Sequence, residues 1–118
     1  MPDCIFCKIV RRELPATIVG EDERTLAFSS IDPKAPIHIL VIPKEHIESI
    51  AHLEANHSLT IAAVIYAAKH VAAARGMAGY KLAFNVGREG GQSVNHLHVH
   101  LLGGWANEAE RTAGSIAE

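Results

Sequence analysis

The stretch His96-Leu97-His98-Val99-His100-Leu101-Leu102 decides how this chain is read. Strict alternation of imidazole and aliphatic side chains is the signature of a β-strand, because successive residues point to opposite faces. One face would carry three imidazoles, spaced roughly 6.5 to 7 Å apart. The other would bury Leu97, Val99 and Leu101. A single histidine in a strand is usually a satisfied polar residue. Three in alternation, behind the glycine-rich turn Gly87 to Gly91 and close to Ser93, form a candidate reactive site.

Working outward, Val94 to Leu102 reads as the last strand and Tyr80 to Val86 as the one before it. Thr17 to Gly20 and Thr25 to Ser29 read as two strands around a polar turn, followed by a loop from Ser30 to Pro36. His38 to Ile42 is an apolar strand closed by Pro43. Residues 4 to 12 suggest a short helix. The one long helix starts at Ser58, a suitable N-cap, and stops at Gly76. Its residues Leu59, Ala62, Ala63, Tyr66, Ala67, His70, Val71 and Ala74 recur with helical spacing. The expected architecture is α+β, with a five-stranded, mostly antiparallel sheet and both helices on one side of it. A single domain spanning residues 1–118 is expected.

Bulk properties narrow the function. Hydrophobic residues make up 48% and charged residues 20%, a globular balance. The net charge of -2, with no basic stripe, argues against nucleic acid as a partner. No apolar run has the roughly 20 residues of a membrane span. The start, Met1-Pro2-Asp3-Cys4, lacks a secretory pattern, so a cytoplasmic location is expected. There the pair in Cys4-Ile5-Phe6-Cys7 would stay reduced, favouring metal or redox chemistry over a structural disulfide.

Near neutral pH an imidazole is a nucleophile, and phosphorylated it is a good leaving group. Charge on a phosphoryl group in transfer must be met by donors. Candidates are the backbone N–H groups of Gly91, Gln92 and Ser93, the Ser93 hydroxyl and the Asn85 amide.

These residues resemble the histidine-triad (HIT) family. The run His96 to Leu102 is similar to its motif of three histidines alternating with apolar residues. Gly90-Gly91-Gln92-Ser93-Val94 and Gly103-Gly104 resemble its Hint branch. Asp32 to His38 and Val41 to Ile47 are similar to further family segments in the family's order. The resemblance implies a nucleotide-binding hydrolase that splits purine nucleoside phosphoramidates or adenylylated conjugates through a nucleotidyl-histidine. The alternatives it leaves are a dinucleoside polyphosphate hydrolase or nucleotidyl transferase, and a zinc-stabilised nucleotide-binding protein with little turnover. It implies that His98 is the nucleophile, that His100 contacts the phosphate, that Ser93 assists the departing amine and that His38 lies beside the triad as a fourth histidine. Asn85, Gly91, Gln92, Ser93 and Val94 would surround the phosphate, and Ile5, Phe6, Phe28 and Ile31 the base. The resemblance also implies a structural zinc ion on Cys4, Cys7, His46 and His96. It further implies a homodimer in which two sheets join into a ten-stranded one. The position of the family's ribose-holding acid is Ser30, with Asp32 two residues further on, and the tail from Trp105 to Glu118 matches no family pattern.

Overall fold

The computed structural model describes residues 4–113. Five strands, β1 (Ile18–Glu21), β2 (Thr25–Ser29), β3 (Ile37–Pro43), β4 (Lys81–Phe84) and β5 (Val99–Gly103), form one sheet in the order β1-β2-β3-β5-β4. Every neighbouring pair is antiparallel. The short links after β1 and β2 build a meander. The long link through helix α2 (Ser58–Ala74) then carries the chain to the far edge, and β5 returns between β4 and β3. The histidine-bearing strand is thus central.

Alternation sends each strand's residues to two different layers. Ala27, Ile39, Val41, Val99 and Leu101 face α2 and pack against its Val64, Ala68 and Val71. Leu26, Phe28, Leu40 and Ile42 face the other way and meet Phe6 and Ile9 of the short helix α1 (Ile5–Val10). The helices therefore lie on opposite faces, correcting the expectation that both share one side. Glycine at 20 suits the close approach of α2 to the sheet, since a Cβ there would meet a Val71 methyl at 3.2 Å and that methyl would have to give by a few tenths of an ångström.

Two further expectations shift. The buried stripe of α2 is Thr60, Val64, Ala67, Ala68, Val71 and Ala72, so Leu59, Tyr66 and His70 face solvent. An alanine-rich helix is apolar nearly all round, so spacing alone does not set which stripe is buried. The helix does end beside Gly76, which takes φ 69°. Ser58 is its first residue, not its cap; the preceding His57 is held by the Glu54 N–H, which donates to Nδ1 at 3.0 Å. The sequence reading also missed two 3-10 turns, Ile50–His52 and Ala55–His57, and a terminal helix α3 (Glu108–Ala113). Among the described residues no helix is long and apolar enough to cross a membrane.

Candidate active site

The last strand begins at Val99, not Val94. Before it the His96 N–H donates to the Val94 carbonyl at 2.8 Å, a tight local turn, and the Leu97 N–H donates to the Ile47 carbonyl. The three histidines still sit on the α1 side of the sheet, and all three are buried. They divide into two groups: His96 turns toward the cysteines, whereas His98 and His100 line a cavity of about 580 Å³. The rings of His98 and His100 lean together, with centroids 5.0 Å apart.

Hydrogen bonds fix which nitrogen of each ring carries its proton. Lys34 N–H donates to Nδ1 of His38 at 2.9 Å, so that nitrogen is bare. The proton of a neutral His38 is then on Nε2, which donates to Nδ1 of His100 at 2.9 Å. His100 is left with its own proton on Nε2. His98 is oriented the opposite way. Its Nδ1–H donates to the His96 carbonyl at 2.7 Å, leaving the Nε2 lone pair unprotonated. A nitrogen with a free lone pair and a protonated nitrogen thus stand on neighbouring rings. Burial pushes the pKa of His98 and His38 below the ordinary histidine value, and that of His100 down to about 4. All three are neutral at pH 7, as this pattern requires.

The rest of the cavity follows from the fold. Ile5 and Phe6 of α1, Phe28 of β2 and Ile31 of the following loop, the residues expected around a base, all line it. Phe6 lies edge-on to Phe28 and to His98, with centroids 5.4 and 5.2 Å away. Ile9, Leu14, Pro15, Ala16 and Leu40 extend this wall, and the sequence reading missed them. Leu40 was recoverable, since it stands two residues from His38 on β3 and pairs with His100. Ser30 and Asp32 both line the cavity. The Asp32 N–H donates to Ser30 Oγ at 3.2 Å, and the Asp32 carboxylate pairs with Lys34 at 2.7 Å.

Of the residues expected around a phosphate, Gly91, Ser93 and Val94 line the cavity. Gly91 takes φ 90°, which a side chain would resist. Its N–H and that of Gln92 bond back to the carbonyls of Arg88 and Gly87, so they are not the open donors expected. Among the described residues, the N–H groups of Ser93 and Val94 have no such partner. Gln92 itself lies behind the loop. Its buried side chain accepts from the Gly87 N–H at 2.8 Å and donates to the carbonyls of Glu48 and Val94. Asn85 does not line the cavity either. Its Nδ2 donates to the Gly90 carbonyl at 2.9 Å, and its Oδ1 is buried without a partner. Both side chains brace the turn that presents Ser93.

Cys4, Cys7, His46 and His96 bring one donor atom each within 4.8 Å of one another. Nδ1 of His96 lies 3.3 Å from Cys4 Sγ and 3.6 Å from Cys7 Sγ, and Nδ1 of His46 lies 3.3 Å from Cys7 Sγ. The S–N edge of a tetrahedral zinc site is about 3.6 Å for ordinary Zn–S and Zn–N bonds. His96 Nε2–H donates to the Pro43 carbonyl at 2.8 Å, which leaves the Nδ1 lone pair for a metal. The donor set fits zinc. The remaining histidines stay outside both sites: His52 and His57 pair with Glu48 and Glu45, and His70 is exposed.

A central antiparallel strand presents one bare and one protonated imidazole to an apolar cavity, with four potential metal donors clustered behind it. The chain belongs to the HIT family: the HIT domain matches residues 11–107. It is 44% identical over 104 residues to the purine nucleoside phosphoramidase of Escherichia coli (strain K12), covering 86% of this chain and 87% of that protein. It is 48% identical over 103 residues to a 14 kDa zinc-binding protein of Zea mays, covering 85% of this chain and 80% of that one. The structure of a HIT family hydrolase from Legionella pneumophila Philadelphia 1 superposes with a TM-score of 0.85 at 48% identity, covering 87% of this chain and 94% of the other.

Proposed function

We propose that this protein hydrolyses nucleoside phosphoramidates, with a preference for purine nucleosides, in two displacements at one phosphorus. The observation that carries this reading is the orientation of His98: its Nδ1–H is committed to the His96 carbonyl, so the Nε2 lone pair is the one available to attack. In the first step His98 Nε2 bonds to the α-phosphorus, the P–N bond breaks and the amine leaves with the proton of the Ser93 hydroxyl. In the second, water attacks the nucleotidyl-histidine and gives a proton back to Ser93 Oγ, the P–N bond to His98 breaks and the monophosphate departs.

Each remaining group has a derived task. His100 Nε2–H, held in that tautomer by His38 and the Lys34 backbone, donates to a phosphoryl oxygen. The open N–H groups of Ser93 and Val94 serve the same charge. Phe6, Phe28, Ile5 and Ile31 cover the base. Zinc, when bound by Cys4, Cys7, His46 and His96, supplies structural cross-linking, since four protein donors leave no open position for a substrate. We further propose a homodimer joined edge to edge through β4. This strand is the last in the sheet order, and Tyr80, Leu82 and Val86 at and beside it are exposed.

The test is AMP release from adenosine 5′-phosphoramidate by the wild type and by His98→Ala. Release that requires His98 supports the assignment. A folded, zinc-loaded wild type that releases no AMP would contradict it.

A further inference from the structure

We propose that Cys4 and Cys7 form a peroxide-sensitive latch: their oxidation to a disulfide ejects the metal and opens the wall of the nucleotide cavity. Both features that orient His98 are tied to this pair. Phe6, whose ring edge faces the His98 ring, lies between Cys4 and Cys7 in the sequence. His96, whose carbonyl accepts from His98 Nδ1, touches both sulfurs through its own Nδ1. The helix carrying Phe6 is only six residues long, and its apolar hold on the sheet is Phe6 and Ile9 with Val10 partly buried beside them. So short a helix is not stable by itself, and the metal cluster anchors its first turn.

Metal binding and a disulfide exclude each other at this spacing. Two thiolates on one zinc ion stand about 3.8 Å apart, whereas a disulfide needs about 2.05 Å. Drawing the sulfurs together pulls them from the His46 and His96 nitrogens. The chemistry needs only a peroxide as oxidant. The Cys4 thiolate is the entry point, because Cys4 is partly exposed and Cys7 is buried. It attacks one peroxide oxygen, the O–O bond breaks, and a Cys4 sulfenic acid and hydroxide form. The Cys7 thiolate then attacks the Cys4 sulfur, the S–S bond forms and a second hydroxide leaves. Two protons convert both hydroxides to water, the two thiolates have lost two electrons to the peroxide, and the zinc ion is released.

The experiment treats reduced, zinc-loaded protein with hydrogen peroxide. Zinc release is followed with a chromogenic chelator, intact mass by spectrometry and AMP affinity by calorimetry. The latch predicts one zinc ion released per chain, a mass loss of about 2 Da relative to the reduced apoprotein, and AMP affinity lower by roughly tenfold or more. Dithiothreitol with added zinc should restore all three. Cys4→Asp, which keeps a metal donor but cannot form the disulfide, should show no loss of about 2 Da and no change on peroxide treatment from its own untreated zinc content and AMP affinity. Zinc retained while peroxide adds oxygen elsewhere would overturn the latch, as would complete disulfide formation with AMP affinity unchanged. Only the AMP arm rests on the nucleotide reading: reduced protein that binds no AMP refutes that reading, while zinc release and mass still decide whether the cysteine pair opens the metal site.

Discussion

The two faces of the sheet are covered to different extents. On one, the 17-residue α2 spans about 25 Å and closes a dry layer of valine, alanine, isoleucine and leucine side chains. On the other, the six-residue α1 spans only about 9 Å. It covers Leu26, Phe28 and part of Leu40, and its Ile5, Phe6 and Ile9 form one wall of the cavity in the sheet face left open beside it. Stability is concentrated where coverage is complete, and chemistry where it stops. The short cover has a small apolar grip of its own, and the proposed zinc on Cys4, Cys7, His46 and His96 would make up the difference.

This contrast yields predictions of decreasing size. His98→Ala should lower turnover by at least about a thousandfold while leaving the thermal midpoint and AMP binding near wild-type values. A comparable loss of stability would mean that His98 is structural. Next come paired changes on the two faces. Cys7→Ser should lower the midpoint by roughly 10 °C and weaken AMP binding with it. Val64→Ala, in the α2 layer, should cost about 2 kcal/mol and leave AMP affinity unchanged at a temperature where the protein stays folded. Calorimetry and thermal unfolding on both variants check this, and equal effects on AMP affinity would erase the distinction between the faces.

The α1 face should also respond to acid. Burial lowers the pKa of His38, His98 and His100 in the folded chain, His100 to about 4. Unfolded, these groups take up protons near 6.5, so the unfolded state binds more protons between about 6.5 and 4. Folding stability should therefore fall as pH drops through that window, while the acid limb of kcat/KM lies below 6.5. A limb at or above 6.5 would show that the imidazoles are not desolvated as the fold places them. The smallest effect is expected at the sheet edge. If the proposed dimer forms through β4, Leu82→Lys should shift it toward monomer in light scattering and change turnover by less than about threefold; an unchanged mass would place the interface elsewhere or show that none forms.

The sequence made the strands legible where apolar runs are bounded by breakers, as in His38 to Pro43, and the triad was legible because alternation is local. What escaped it depends on contacts between distant segments. Nothing near Val94 announces that the Leu97 N–H will bond to Ile47 and delay β5 to Val99. The face chosen by α1 depends on which side of β2 and β3 is left open by α2. Gln92 and Asn85 are polar residues at the right place in the chain, yet the turn consumes their hydrogen bonds. The Lys34 amide that sets the tautomers of His38 and His100 is a backbone group, so no residue type signals it.

The most direct test of the central claim is capture of the intermediate. Protein mixed with adenosine 5′-phosphoramidate and quenched within the first turnover should carry an adenylyl group, and peptide mapping should place it on His98 alone. An adduct on His96, His100 or Ser93, or turnover with no adduct at any quench time, would contradict the double displacement derived from the orientation of His98.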